Sequence, residues 1–134
     1  MSVGLVLVSH SARLAEGTRE VAEQVAQGAV PILAVGGAED GSLGTNAFAI
    51  VAAIESLAAA EGVLVLVDLG SAVLSAETAL EQLDQELRGR VRIADAPFVE
   101  GTVAASVEAS LGSGLEAVLA TAEASRQQAK LHEP

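Results

Sequence analysis

The segment Gly4-Leu5-Val6-Leu7-Val8-Ser9-His10-Ser11 contains the clearest structural signal in the chain. Its first five residues are glycine or apolar, which predicts a β-strand buried on both faces. The polar triplet Ser-His-Ser follows where that strand ends. In open parallel sheets, ligands bind in the crevice beyond the carboxyl ends of the strands. His10 is therefore expected at the functional edge of a sheet, whereas the other histidine, His132, lies in a polar tail.

Length and composition limit the domain count and the kinds of ligand. We expect a single domain spanning residues 1–134, with one sizeable core. Hydrophobic residues make up 51% of the chain and only two residues are aromatic, so the core is expected to consist of Val, Leu, Ile and Ala. The formal net charge of −11 argues against nucleic acid as a partner, because that binding requires Lys and Arg opposite the phosphates. Disulfide and thiolate chemistry are excluded, since the sequence has no cysteine.

Nothing in the sequence points to a membrane or to secretion. Its apolar runs are far shorter than the ~20 residues that a membrane-spanning helix requires. No basic segment precedes the first apolar run, so a signal peptide is not expected. The resulting expectation is a cytoplasmic protein.

Two kinds of apolar segment alternate along the chain. Short continuous runs predict strands at 4–8, 31–35, 63–67 and 91–95, and longer periodic runs predict helices. The predicted helices cover 14–27, 46–60 (capped by Thr45 or Asn46), 72–88, 103–112 and 113–127. This alternation predicts an α/β fold, an open three-layer α/β/α domain with a mostly parallel four-stranded sheet in the order 2-1-3-4.

Local signals predict how several connections and helix ends are built. The glycine-rich stretch 36–44 is expected to form a long loop, and loops of that length are often functional. Val103, Val107 and Leu111 mark the short helix that ends at Gly112. Ser113, with Glu116 three residues later, predicts a capping box for the last helix.

The predicted strand order brings two chemically useful residues to one edge of the sheet. Strands 1 and 3 are parallel neighbours in that order, so His10 and Asp68 are expected to follow adjacent carboxyl ends. A carboxylate there can accept the Nδ1 proton of the imidazole and leave Nε2 as a nucleophile. A histidine at a strand end is also found as a plain hydrogen-bonding residue, but its pairing with Asp68 favours a catalytic role for His10.

Two helix starts near this edge contain residues suited to hold a phosphoryl group. Gly70 and Ser71 precede one predicted helix, and Gly44 and Thr45 precede another. The amide groups and dipole at a helix N-terminus bind anions without a net positive protein, and glycine allows close approach. Ordinary turns and helix caps are the structural alternative for the same residues.

Ser11 and Arg13 follow His10 closely and are further candidates for holding a phosphoryl group. Ser11 is a further phosphoryl-binding candidate, and Arg13 could pair with a phosphate, although exposed arginines are commonly just solvated. Neither Ser9 nor Ser11 is expected to act as a nucleophile, because residues adjacent to a histidine rarely reach its ring nitrogen.

Other kinds of site lack the residues that they require. One suitably placed histidine without any cysteine does not make a metal site. The Gly36-Gly37 pair is not followed by the Gly-Lys-Ser/Thr of a Walker loop, and the glycines of a dinucleotide site are missing after the first strand. We therefore expect no metal and no bound cofactor.

Four ordered motifs resemble one known family. They are Leu-Val-Ser-His-Ser at 7–11, Gly-Thr-Asn at 44–46, Val-Asp-Leu-Gly-Ser-Ala at 67–72 and Leu-Ser-Ala-Glu-Thr-Ala at 74–79. Together they are similar to the mannose-type enzyme IIA domain of the bacterial phosphotransferase system, over nearly the whole chain. Asp-Ala-Pro-Phe-Val-Glu-Gly at 95–101 resembles in particular the DhaM branch, the phosphocarrier subunits of dihydroxyacetone kinase.

The resemblance implies a mechanism and a set of partners. The matching histidine, His10, would accept a phosphoryl group on Nε2 from the carrier protein HPr, and Asp68 matches the carboxylate that orients the imidazole. Members of the DhaM branch pass the group to ADP bound on the DhaL subunit, and the ATP formed phosphorylates dihydroxyacetone held on DhaK. A homodimer is also implied, since family members are homodimers.

The sequence departs from the family pattern in two respects. Many relatives carry aspartate where this chain has Asn46, so a capping or hydrogen-bonding role is expected there rather than a charged one. Some DhaM proteins continue into HPr-like and enzyme-I-like domains, whereas this sequence ends after the first domain. Separate carrier proteins are therefore expected.

Three other functions stay open from the sequence alone. The first is a sugar-specific mannose-type IIA component of a permease, which would use the same phosphohistidine chemistry. The second is a histidine phosphatase or mutase, which would need Arg-His-Gly and a second histidine where this chain has Ser9-His10-Ser11. The third is a regulatory or binding module that accepts no phosphate.

Overall fold

Four apolar runs form the strands of one parallel sheet, in a computed structural model that describes residues 2–131. The strands are β1 Val3–Ser9, β2 Ile32–Gly36, β3 Gly62–Val67 and β4 Val91–Ile93. Their order is β2-β1-β3-β4 and each neighbouring pair is parallel. The predicted strand order is therefore confirmed, and the predicted strand ends lie within two residues of those observed.

β1 is central because it pairs along most of its length on both sides. Leu5 lies opposite Ile32 of β2 and Leu64 of β3, and Val8 lies opposite Val35 and Val67. All seven residues of β1 are buried, as the continuous apolar run predicts. β2 lies at the edge of the sheet, where a proline such as Pro31 just before the strand is tolerated.

Helices cover both faces of the sheet. Those of the described residues are α1 Ala12–Ala26, α2 Ala47–Ser56, α3 Gly70–Glu81, α4 Gln85–Arg88, α5 Phe98–Ser110 and α6 Leu115–Ala124, and a 3₁₀ turn follows at Ser125–Gln127. Leu5 and Leu7 pack in one cluster with residues of α1, α5 and α6. Val6 and Val8 pack in a second cluster with residues of α2, α3 and α4. Because side chains alternate along a strand, the two clusters lie on opposite faces, which confirms the three-layer α/β/α fold.

The prediction of one continuous helix over 72–88 is wrong, because two helices occupy this segment. α3 ends at Glu81, and Asp84 adopts an extended backbone conformation and begins α4. The Asp84 carboxylate accepts a hydrogen bond from the Leu87 N–H at 2.8 Å. An aspartate that caps a new helix in this way competes with continuation of the preceding one.

The helix predicted to end near Ala60 is also too long. Asn46, one of the two predicted caps, accepts a hydrogen bond from the Ala49 N–H and begins α2. After Ser56, the backbone bonds of Leu57, Ala58 and Ala60 reach back three residues instead of four. The last predicted turn is thus a series of tight turns rather than α-helix.

The short helix predicted over 103–112 is longer than expected and buries a different face. α5 begins at Phe98, and its buried residues include Phe98, Thr102, Ala105 and Ala109. Two of the residues that marked the helix in the sequence, Val107 and Leu111, have exposed side chains. The buried face of α5 contains small residues such as Ala105 and Ala109, which let the helix approach its neighbours closely.

The capping box predicted for the last helix is not formed. Gly114 is the N-terminal cap residue of α6 and contributes no side-chain hydrogen bond. The Ser113 hydroxyl donates to Glu108, and the Glu116 carboxylate accepts from Arg92 at 2.7 Å. The side chains of Ser113 and Glu116 therefore bond to other residues instead of to the start of α6, and the local sequence pattern does not predict these partners.

None of the helices in residues 2–131 is both long enough and apolar enough to cross a membrane.

Candidate functional site

The candidate site lies where β1 and β3 end side by side. His10 follows Ser9, the last residue of β1, and Asp68 follows Val67, the last residue of β3. The Asp68 N–H donates to the carbonyl of Val8 at 3.1 Å, which continues the ladder between the two strands by one residue. The predicted neighbours His10 and Asp68 are therefore brought together by the sheet itself.

The Asp68 carboxylate accepts three hydrogen bonds from the end of β1. Its Oδ1 lies 3.0 Å from Nδ1 of His10, and its Oδ2 accepts from the His10 backbone N–H and from the Ser9 hydroxyl, each at 3.0 Å. Because an ionised carboxylate can only accept, the proton between the two side chains belongs to Nδ1. The Asp68 side chain is 8% exposed and that of His10 is 25% exposed, so the ring reaches solvent while its partner is covered.

The hydrogen bonds set the direction of the Asp68 pKa shift. Burial alone raises the pKa of this carboxyl, but the His10 backbone N–H, the His10 ring, the Ser9 hydroxyl and attraction to His10 together lower it. The net effect places the pKa of Asp68 below its usual value. Asp68 is thus held in the form that accepts the Nδ1 proton.

Ser71 lies at the other ring nitrogen. Its Oγ is 2.7 Å from Nε2 of His10, and it donates this bond because Nε2 is unprotonated when Nδ1 carries the proton. Ser71 and Gly70 form the first turn of α3, and the residue before them, Leu69, supplies no side-chain cap. The first amide groups of α3 are therefore available to an anion beside Nε2.

Gly44, Thr45 and Asn46 connect the long loop to this site. The Gly44 N–H donates to the carbonyl of His10 at 2.9 Å, in a backbone conformation with φ +148° that favours glycine. The Thr45 hydroxyl is hydrogen-bonded to the Ser75 hydroxyl of α3, and Asn46 caps α2. The structure brings these residues beside the site, but it engages their polar groups with protein partners, and the predicted phosphoryl-binding role of Gly44 and Thr45 stays a prediction.

Ser11 and Arg13 lie at the start of α1. The Ser11 side chain caps this helix by accepting from the Leu14 N–H at 3.2 Å, which matches the structural alternative of a helix cap. Its role in holding a phosphoryl group stays a prediction. Arg13 is exposed in the first turn of α1 and forms no salt bridge with any of residues 2–131.

Sequence analysis missed Ser9 as a contributor to the site. Its side chain is completely buried, donates to Asp68 and accepts from the Ser11 N–H at 3.0 Å. Ser9 thereby links the Asp68 carboxylate to Ser11, the residue that precedes α1. The sequence did contain a signal for this role, because Ser9 is a serine at the last position of an otherwise apolar strand. A hydroxyl that is buried there requires hydrogen-bonding partners.

A cavity opens beside Asp68, between α3 and the ends of β3 and β4. It has a volume of about 440 Å³ and is lined in part by Asp68, Gly70, Glu77 and Asp95. Across the described part of the chain, no group of three or more His, Cys, Asp or Glu side chains is arranged to hold a metal ion. His132 lies outside the described residues.

The geometry suits nucleophilic attack by Nε2. The imidazole is anchored through Nδ1, its other nitrogen carries a lone pair, and a hydroxyl and a helix N-terminus lie next to that nitrogen. A phosphoryl group transferred to Nε2 would meet the Ser71 hydroxyl and the first amide groups of α3.

Comparison with known proteins gives a consistent family assignment. Residues 4–119 match the family model of the PTS system fructose IIA component, EIIA-man. The chain is 47% identical over 133 residues to the PEP-dependent dihydroxyacetone kinase, phosphoryl donor subunit DhaM of Escherichia coli K12, covering 94% of this chain and 28% of that protein. It is 44% identical over 117 residues to the phosphoryl donor subunit DhaM of PEP-dependent dihydroxyacetone kinase 2 of Listeria innocua, covering 87% of this chain and 94% of that protein.

A solved structure has a similar fold and a related sequence. The crystal structure of EF1359, a protein of unknown function, matches with a TM-score of 0.82 and 36% sequence identity, covering 92% of this chain and 94% of the other. The chain spans only about a quarter of the length of some DhaM relatives, including the E. coli protein, but almost the whole of the Listeria protein. The chain belongs to the EIIA-man family and, within it, to the DhaM type.

Proposed function

We propose that this chain is a phosphohistidine carrier of a dihydroxyacetone kinase system. It accepts a phosphoryl group from HPr on Nε2 of His10 and passes it to ADP bound on the DhaL subunit. The ATP formed then phosphorylates dihydroxyacetone on DhaK. The observation that carries the proposal is the His10 ring itself, which is held at Nδ1 by Asp68 and hydrogen-bonded at Nε2 to Ser71 beside a helix N-terminus.

Each of the two transfers forms one bond to phosphorus and breaks another. In the first, the Nε2 lone pair attacks the phosphorus, and the bond between phosphorus and the donor protein breaks. In the second, an oxygen of the ADP β-phosphate attacks, and the Nε2–P bond breaks. Asp68 keeps the Nδ1 proton in place throughout, which stabilises the positive charge that the ring acquires while Nε2 is substituted.

Ser71 changes its partner during this cycle. Its hydroxyl donates to Nε2 before transfer and must turn aside when phosphorus approaches in line. The same hydroxyl, with the first amide groups of α3, then donates to the phosphoryl oxygens. A Cβ at Gly70 would lie in open space, since it would meet no other atom within 4 Å.

The relatives support this function over the other possibilities. Both DhaM relatives are named as phosphoryl donor subunits of PEP-dependent dihydroxyacetone kinases. The family model, however, is described as a fructose IIA component, which keeps a sugar-specific IIA component of a permease as the second candidate. We further propose that the chain is a homodimer that acts in the cytoplasm, as a phosphotransferase subunit rather than as a complete enzyme.

A labelling experiment tests the proposal. The chain is incubated with enzyme I, HPr and ³²P-labelled phosphoenolpyruvate, followed by DhaL loaded with ADP. We expect acid-labile label on the chain that disappears in His10→Ala, and labelled ATP after DhaL is added. Label that survives His10→Ala would contradict the proposal. Transfer to a sugar permease subunit and not to DhaL would favour the second candidate.

A further inference from the structure

We propose that Thr45 and Ser75 are positioning residues for the transfer of a phosphoryl group to His10. Their side-chain hydroxyls are hydrogen-bonded to each other, and this contact is called the hydroxyl pair here. The inference rests on the proposed function and adds to it two residues that act through Ser71 without touching the phosphoryl group. This role differs from the direct phosphoryl binding that the sequence predicts for Thr45.

The hydroxyl pair completes a series of contacts that starts and ends at His10. The ring nitrogen Nε2 is 2.7 Å from the Ser71 hydroxyl, and Ser75 lies about one helical turn further along α3. Ser75 is bonded to Thr45, and the N–H of the adjacent Gly44 donates to the His10 carbonyl at 2.9 Å. The ring and the backbone of His10 are thus connected to each other through α3.

Apolar packing holds α3 on the sheet but gives the rotation of this helix little definition. Ala72 and Ala76 pack in one cluster with residues of α2 and of the sheet. At the start of α3, Leu69 supplies no side-chain cap. Hydrophobic contact is non-directional, whereas a hydrogen bond requires defined positions of both partners. The hydroxyl pair is therefore suited to set the rotation of α3 about its axis.

The rotation of α3 matters because Ser71 and Ser75 lie on the same side of the helix. A rotation would move the Ser71 hydroxyl and the first amide groups of α3 relative to Nε2. Asp68 would not correct such a shift, since it holds the imidazole through the other nitrogen, Nδ1. Phosphoryl transfer depends on the placement of the groups around the phosphorus, so a small displacement there slows the reaction.

Rates of charging by phosphorylated HPr test the role of the hydroxyl pair. Thr45→Val keeps the shape of the side chain without its hydroxyl, and Ser75→Ala removes the other hydroxyl. We expect each variant to be charged about tenfold more slowly than the unmodified chain. The double variant should be no slower than either single variant, because each substitution removes the same contact. Thr45→Ser retains a hydroxyl and should recover most of the rate.

Thr78→Val is the matched control on the same helix. The exposed Thr78 hydroxyl donates to the Leu74 carbonyl at 2.9 Å, within α3 itself. Its removal takes away the same atom as Thr45→Val but leaves the contacts of His10 in place. The control should be charged within about twofold of the unmodified rate.

Nitrogen NMR of the uncharged chain separates positioning from stabilisation of the fold. In Thr45→Val and Ser75→Ala we expect Nδ1 of His10 to stay protonated, because its partner Asp68 is unchanged. The Nε2 resonance should shift toward its position in Ser71→Ala, since the Ser71 hydroxyl no longer meets this nitrogen squarely. Circular dichroism checks that every variant is folded.

Three results would overturn the inference. Charging of both single variants at the rate of Thr78→Val would remove the positioning role. Slow charging with an unchanged Nε2 resonance would assign the two hydroxyls to direct contact with the phosphoryl group, and losses that multiply in the double variant would show that Thr45 and Ser75 act independently. Failure of the proposed function is distinguishable, because HPr would then not charge the unmodified chain, whereas the NMR comparison would still report on Nε2.

Discussion

At the scale of single residues, the site depends on how completely Asp68 is hydrogen-bonded. Both of its oxygens accept from the end of β1, through a ring nitrogen, a backbone N–H and a hydroxyl. A carboxylate that is 8% exposed needs such partners, because an uncompensated buried charge strongly destabilises the fold. The hydrogen bonds that join Asp68 to Ser9 and His10 are thus also those that allow Asp68 to be buried.

The lowered pKa of Asp68 predicts a pH dependence of stability. Since the folded-state pKa lies below the usual value of about 3.9, ionised Asp68 stabilises the fold above that pH. This stabilisation is lost as the pH falls through the folded-state pKa. We expect the difference in free energy of unfolding between the unmodified chain and Asp68→Asn to be largest near about pH 6 and to shrink below about pH 4.

Urea titrations of both proteins across this pH range measure that difference. Comparing two chains cancels the contribution of the other acidic residues. A difference that stayed constant with pH would show that the charge of Asp68 does not stabilise the fold.

Ser9 predicts a second effect at this scale. Ser9→Ala should lower the free energy of unfolding by about 1.5–3 kcal/mol, because Asp68 loses a donor and the partly buried Ser11 N–H loses its acceptor. Charging of His10 should also slow. Ser42→Ala is the control, since it removes an exposed hydroxyl bonded to Asp40 and should change stability by less than about 0.5 kcal/mol. Equal losses in the two variants would remove the special role of Ser9.

At the scale of elements, the start of α1 is held against the end of β2 with no spare space. A Cβ added at Gly36 would lie 2.5 Å from the Ser11 carbonyl oxygen and 2.6 Å from Cα of Ala12. Only glycine permits this approach, which keeps the segment that follows His10 close to the sheet.

We therefore expect Gly36→Ala to destabilise the protein by about 1–3 kcal/mol, because backbone atoms would have to move apart. Gly17→Ala is the matched control. Gly17 lies within α1, and a Cβ there meets no atom within 4 Å, so alanine should stabilise the helix by about 0.5–1 kcal/mol. Denaturation by urea measures both changes. A Gly36→Ala variant as stable as the unmodified chain would show that the contact is not tight.

At the scale of the whole molecule, the helices that follow β1 and β3 lie on opposite faces of the sheet. α1 leads from β1 to β2 and packs on one face of the sheet, whereas α3 follows β3 and packs on the other face. The helices that start beside β1 and β3 therefore diverge and leave a crevice at the carboxyl ends of these strands. His10 and Asp68 lie in this crevice, with the N-terminus of α3 beside them.

A side chain in the middle of the sheet is packed in one of the two hydrophobic clusters, so its removal is expected to have a large effect on stability. Leu64 of β3 is completely buried, so Leu64→Ala should lower the free energy of unfolding by about 2–5 kcal/mol. Leu74→Ala removes the same atoms from an exposed position and should change it by less than about 0.5 kcal/mol. Thermal and urea unfolding followed by circular dichroism compare the two, and similar losses would contradict the observed burial.

The strands, their order and the proximity of His10 to Asp68 could be predicted from the amino-acid sequence. These features follow from local patterns, because a continuous apolar run specifies a buried strand and the alternation of strands with helices restricts how a parallel sheet can be connected. Once the strand order is known, His10 and Asp68 are expected to be neighbours, because they follow the ends of two adjacent strands.

Tertiary packing sets which face α5 buries and which partners Ser9, Ser113 and Glu116 find, whereas the end of α3 reflects the local cap at Asp84. Periodic spacing of Val107 and Leu111 marked the helix, but the residues that it buries include Ala105 and Ala109. The partners of Ser9 and Glu116 are 59 and 24 residues away in sequence, Asp68 and Arg92. Such choices depend on distances between elements that meet only after folding, and no local pattern encodes these distances.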